Sequence, residues 1–190
     1  MQVFNMTTTR VLAFDIGTRN LAYCKVAYDG YSIPVIEDWG LINLGINTKT
    51  PCKAVHCKIK GLVHDRFKED PDVHVVIESQ AAARSIMKTV ATIIFSQFYM
   101  SGFRHVDTIS ARKKLSRADP AAIRTYADRK RHAVHRTYTT LTACPVNYHW
   151  LTDLFNLARK KDDLADSYLT ALAYLRKRGS DDDPWLQTQC

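Results

Sequence analysis

Two hydrophobic patterns follow one another along the chain. The first is a short apolar run that ends on a single charge. In "VLAFDIGTRNLAYCKVAYDG" (Val11 to Gly30), residues 10–16 and 20–28 read as two strands joined by a tight turn over Gly17 to Asn20. Asp29-Gly30 is a hairpin turn signal leading to a third strand near Ile33 to Leu44, so these strands form an antiparallel meander. "VHVVIES" (Val73 to Ser79) is a nearly continuous apolar run, as expected of a buried strand with a parallel neighbour, and it too ends on a charge, Glu78. "FRHVDTIS" is a further strand.

The second pattern is helical. Ile86, Val90, Ile93, Ile94 and Phe98 share one broad face of a helix from about Ala81 to Met100, with Gly102 as its stop. Cys52 to Lys68 reads as a helix interrupted by Gly61, and the C-terminal part as helices over roughly Pro120 to Leu141, Thr152 to Arg159 and Asp162 to Arg178. Residues 1–9 are read as an N-terminal extension, and residues 179–190, charged and proline-containing, as a flexible tail. Three meander strands, then strand–helix–strand, then helices describe an α/β domain. Its mixed five-stranded sheet has three antiparallel strands followed by two parallel ones, the element order of the ribonuclease H-like fold.

At 190 residues, 46% hydrophobic and 24% charged, the chain is that of one globular domain with a substantial core. The formal net charge of +8 points to a polyanionic partner. Five cysteines at irregular spacing suggest reduced thiols inside a cell. Cys52, His56, Cys57 and His64 match no usual zinc spacing and are read as one side of a helix. The N-terminus lacks signal-peptide character, and Ile86 to Phe103 is broken by Lys88, Gln97 and Ser101. The expectation is a soluble, intracellular protein with no membrane partner.

The positive charge is concentrated. From Arg112 to Arg136 the chain is crowded with Lys and Arg and carries only Asp119 and Asp128 as acids. Arg112, Lys113, Lys114, Arg117, Arg129, Lys130 and Arg131 are the candidates for contacts to nucleic-acid phosphates, with affinity that falls with salt. Lys114 or Lys130 could also stabilise the charge on a cleaved phosphate.

The acids at the strand ends acquire company in "RKKDDLADSYLTALAYL", which puts Asp162, Asp163 and Asp166 in the first turn of an amphipathic helix. Either Asp162 or Asp163 can share a face with Asp166, and spacing does not choose between them. Each acid has an ordinary structural role: Asp15 beginning a turn, Glu78 ending a strand, the aspartates complementing a helix N-terminus. In the expected fold, however, Asp15 and Glu78 lie on neighbouring strands and the last helix begins across the same edge. Converging carboxylates are compensated well by hard divalent cations, Mg²⁺ or Mn²⁺. A pair of such ions about 3.5–4 Å apart can drive phosphodiester hydrolysis.

"FDIGTRNLAYCKV", "VVIESQ" and "RKKDDLADSYLTALAYL", in that order, resemble the RuvC-type Holliday junction resolvases, most closely the poxvirus-type enzymes of large DNA viruses. The resemblance runs from about Arg10 to Leu175, within a nuclease domain of residues 10–178. It implies Asp15, Glu78, Asp163 and Asp166 as metal-binding acids, selecting Asp163 over Asp162, and Lys114 and Lys130 as lysines near the scissile phosphate. It further implies a homodimer that nicks two opposed strands of a four-way DNA junction, leaving 5′-phosphate and 3′-hydroxyl ends, with about two Mg²⁺ per site. The long helix Ala81 to Met100 would be a natural dimer element, although core packing explains its apolar residues equally well. "FDIGTRNLAYCKV" also resembles the phosphate motif of sugar kinases and actin-like ATPases. Those proteins need a second domain and a Gly-rich nucleotide loop, for which 190 residues and seven glycines leave no room, so no nucleotide cofactor is expected. Another ribonuclease H-like nuclease, acting on an RNA–DNA hybrid or on RNA, and a non-catalytic nucleic-acid binder are the alternatives.

Overall fold

The computed structural model describes residues 8–17, 19–67, 71–80, 85–114, 125–143 and 149–179. Its strands are β1 (Thr9–Ile16), β2 (Asn20–Tyr28), β3 (Val35–Asn43), β4 (His74–Ser79) and β5 (His105–Ser110). Helices α1 (Cys52–Arg66) and α2 (Ser85–Met100) flank β4 in sequence. A short 3₁₀ turn (Ala111–Lys114) follows β5, then α3 (Tyr126–Ala143), α4 (His149–Leu157) and α5 (Lys161–Arg178). One sheet has the order β3-β2-β1-β4-β5. The β1–β2 and β2–β3 pairs are antiparallel, and β4 runs parallel to both β1 and β5, as the element order predicts.

The turns have identifiable chemistry. The Asp29 carboxylate accepts hydrogen bonds from the Tyr31 and Ser32 amides at 2.9 and 2.8 Å, and Gly30 supplies the positive φ of 93°. At Gly17 a Cβ would run into the Asn20 carbonyl oxygen, so the β1–β2 turn requires glycine. Thr125 and Asp128 cap the start of α3 reciprocally: the Asp128 amide donates to Thr125 Oγ1 and the Thr125 amide to Asp128 Oδ2.

Side chains alternate across the sheet, and the two faces become two cores. Leu12, Phe14, Tyr23, Val75 and Ile77 face α1 and α2, where they meet Val55, Ile59, Val90, Ile94 and Phe98. Val11, Ala13, Cys24, Val26, Trp39 and Val76 face α3, α4 and α5. Helix α5 is apolar nearly all round, with Leu164 to Leu175 buried except for Asp166, because it lies between the sheet and the outer helices. Trp39 anchors it: Nε1 donates to the Leu164 carbonyl at 3.1 Å and to Ser167 Oγ at 3.2 Å, while the indole stacks on Phe155 at 5.4 Å.

Where expectation and structure differ, the differences lie at ends. The third strand begins at Val35 because the Asp29 turn holds Tyr31 and Ser32. Helix α4 runs from His149 to Leu157, a turn earlier than its apolar spacing predicts. Residues 81–84 and 120–124, expected to be helical, lie outside the described residues, as do residues 1–7 and 180–190. On α1, Val55, Ile59 and Val63 are the buried stripe, and Cys52 and Cys57 are exposed free thiols. Among the described residues, no helix is long and apolar enough to cross a membrane.

Candidate active site

The alternation that builds the cores also aims the acids. Asp15 follows Val11 and Ala13 in phase on β1, and Glu78 follows Val76 on β4, so both carboxylates turn toward α5 rather than toward α1 and α2. Val11 to Phe14 are in parallel register with His74 to Ile77, which brings Asp15 and Glu78 side by side just past the last paired residues. Helix α5 delivers Asp166 from above. Burial raises the Asp15 pKa well above the usual carboxylate range, and the neighbouring Glu78 charge adds to the shift. Burial likewise raises Asp166, against the opposing pull of Lys114.

Lys114 sits among these acids. The 3₁₀ turn after β5 folds it back over the sheet edge, with its Nζ 2.6 Å from Glu78 Oε2 and 3.1 Å from Asp166 Oδ1. Its side chain is only 9% exposed. Burial alone would lower a lysine pKa, but Glu78, Asp15 and Asp166 outweigh it and hold the ammonium above its ordinary value. Arg136 Nη1 donates to the Lys114 carbonyl at 3.4 Å, tying this turn to α3.

Asp163 stands to one side of that cluster. Burial raises its pKa, Asp162 adds to the rise, and a hydrogen bond from Asn20 opposes it. Asn20 starts β2 in phase with Cys24 and Val26, hence on the α5 face. Asp162 accepts a hydrogen bond from Lys130, whose Nζ also lies 5.0 Å from the Tyr126 ring centroid. The sequence spacing that left Asp162 and Asp163 equivalent thus resolves into different surroundings: Lys130 for the first, Asn20 for the second.

Of the remaining basic candidates, Lys113 and Arg129 are exposed, and Arg131 Nη2 donates to Asp128 Oδ1 at 2.5 Å. Arg112 lies on the 3₁₀ turn, and Arg117 falls outside the described residues. Sequence reading missed Asn20 and the positioning contact of Arg136. Asn20 was legible only as a turn residue, and Arg136 only as the end of the basic run.

The donor set fits a hard cation: carboxylate oxygens only, in excess of the one ammonium among them, with Asp15 held toward its neutral form by burial and by the neighbouring Glu78 charge. As the side chains stand, the acids converge on Lys114. Among the described residues, no three His, Cys, Asp or Glu are grouped to hold a metal ion.

Comparison with known proteins agrees with this architecture. The yeast mitochondrial Holliday junction resolvase Ydc2 is similar in fold, with a TM-score of 0.61 at 16% identity over 95% of this chain and 81% of that one. Thermus thermophilus RuvC is similar with a TM-score of 0.53 at 14% identity, over 90% of this chain and 97% of that one. No curated protein matches the sequence. The family model described as "Poxvirus A22 protein" matches residues 9–178, nearly the whole chain. The chain, on this sheet, therefore belongs to a poxvirus Holliday junction resolvase family, the Poxvirus A22 protein family.

Proposed function

We propose that this protein is a metal-dependent, structure-selective endonuclease that resolves four-way DNA junctions by paired nicks, leaving 5′-phosphate and 3′-hydroxyl ends. The observation that carries the reading is the meeting of Asp15, Glu78 and Asp166 around Lys114 at the sheet edge, beside the basic face of α3. Family membership supports it.

Asp15, Glu78, Asp163 and Asp166 would hold the cation. Mg²⁺, or Mn²⁺ in its place, would supply an activated water and charge stabilisation at the leaving oxygen, with two ions per site. Asn20 orients Asp163 through its hydrogen bond. Lys114 holds Glu78 and Asp166 together and supplies positive charge close to a bound phosphate. Lys130, held by Asp162 at the edge of the same cluster, is the second lysine of the site. Arg112, Lys113, Arg117, Arg129 and Arg131 hold the DNA by its phosphates, without reading its sequence. The nuclease unit is residues 10–178, acting as a homodimer that places two such sites on opposed strands.

The test is incubation of purified protein with an end-labelled four-way junction in Mg²⁺ and in EDTA, alongside Asp166→Asn. Paired nicks near the branch point that need Mg²⁺ and are absent in the variant are expected. Cleavage of an RNA–DNA hybrid with the junction left intact would favour another ribonuclease H-like nuclease.

A further inference from the structure

A cleft of about 650 Å³ opens beside the candidate active site, between α3, α4 and the start of α5. Lys130, Val134 and Tyr138 recur every four residues on α3, so they form one wall; Phe155 and Ala158 form the opposite wall. The rim is basic, with Arg131, His135, Arg159 and Lys161, and its one acid, Asp162, is engaged by Lys130. Tyr138 is 42% exposed at the mouth. Asp162 belongs both to this cleft and to the first turn of α5 that carries Asp163 and Asp166, so the cleft opens next to the acids.

Duplex backbone is tracked by an open polar groove or face lined with cations, and an apolar interior with a cationic rim does not match it. The cleft suits one nucleotide out of its stack, with the base against aliphatic and aromatic side chains and the phosphates on the rim. A four-way junction supplies such nucleotides at its branch point, where stacking is already interrupted and extrusion costs least. We propose that this cleft captures an unstacked nucleotide at the branch point and thereby contributes to the choice of junction over duplex. This rests on the junction-resolving reading above.

The test measures binding in EDTA, where no cleavage occurs, of a fluorescent four-way junction and of a linear duplex of the same sequence. Wild type is compared with Tyr138→Ala and with Ala158→Trp, which fills the cleft. Tyr138 is exposed enough for its truncation to leave folding intact, and thermal unfolding checks both variants. Each variant is expected to lose on the order of ten-fold in junction affinity with duplex affinity unchanged. A junction with abasic branch-point nucleotides should lower wild-type affinity and leave the variants unaffected. If wild type prefers the junction and the variants keep that preference, or if removing the bases changes nothing, the cleft proposal is overturned and the proposed function stands. If wild type binds junction and duplex equally, the junction reading falls and the cleft proposal falls with it.

Discussion

The Lys114 ammonium lies 2.6 Å from the Glu78 carboxylate at the edge of the sheet, with almost no exposure on either side chain. A cation supplied by the chain thus stands where the proposed function calls for a divalent one. Lys114→Met should leave Glu78 and Asp166 facing Asp15 without compensation, lowering stability in EDTA by about 2–4 kcal/mol. Mg²⁺ should then raise the melting temperature of the variant more than that of wild type. Equal Mg²⁺ shifts in the two proteins would show that Lys114 and the metal do not share the acids.

The three clustered acids should separate in their effect on stability. Asp15 is held toward its neutral form by burial and by Glu78. Asp15→Asn is therefore expected to keep the metal-free stability within about 0.5 kcal/mol of wild type or to raise it, while junction cleavage falls by at least a hundred-fold. Glu78→Gln and Asp166→Asn remove charge from Lys114 and should cost about 1–3 kcal/mol as well as cleavage. Urea denaturation in EDTA beside a single-turnover cleavage assay distinguishes these cases. Loss of folding in all three variants would make the acids structural.

A second polar cluster sits at the opposite end of α5. His74 stacks on His105 with ring centroids 4.1 Å apart, and its Nδ1 lies 3.1 Å from Tyr174 Oη, with Arg178, Asp107 and Asp72 close by. Burial, then the Arg178 charge, lowers the His74 pKa to about 4. Because this is below the unfolded value of about 6.5, the unfolded chain binds more protons between these two pH values. The contribution of His74 is therefore complete above about pH 6.5 and is lost as pH falls toward 4. Urea titrations across this range should show a pH-dependent loss of about 1–2 kcal/mol in wild type that His74→Gln lacks, the size reduced by solvent screening. Parallel stability curves for the two proteins would remove His74 from the account.

The Trp39 indole holds α5 through the Leu164 carbonyl and Ser167 Oγ. Trp39→Phe keeps an aromatic ring beside Phe155 and gives up both hydrogen bonds, at an expected cost of about 1–2 kcal/mol. Differential scanning fluorimetry reads this directly. A variant as stable as wild type would mean that packing alone seats the helix.

Asp15 and Glu78 were legible in the sequence because an isolated charge at the end of an apolar run has little reason to be there unless it is aimed. The period of two along β1 and β4 even gives the direction. The sheet order was legible from the succession of turns and apolar runs. What lay beyond the sequence depended on contacts distant in the chain. Lys114 was legible, with Lys130, as a lysine for the cleaved phosphate, but its seat against Glu78 and Asp166 depends on the turn after β5. Spacing left Asp162 and Asp163 interchangeable, with the family resemblance alone choosing Asp163, until Lys130 and Asn20 arrived from other elements. The cleft beside α3 needs three helices to exist at all, so no local spacing announces it.

The phase of β1 has a further consequence for how the chain can change. Leu12 and Phe14 serve one core and Val11 and Ala13 the other, and Asp15 takes its direction from the same alternation. A one-residue insertion or deletion before Asp15 would exchange the two cores and turn the acid away from Asp166 in a single step. A chain in which that strand slips would thus lose its cores along with the direction of the acid. Folding alone therefore sets the direction of position 15, though not the acid that stands there.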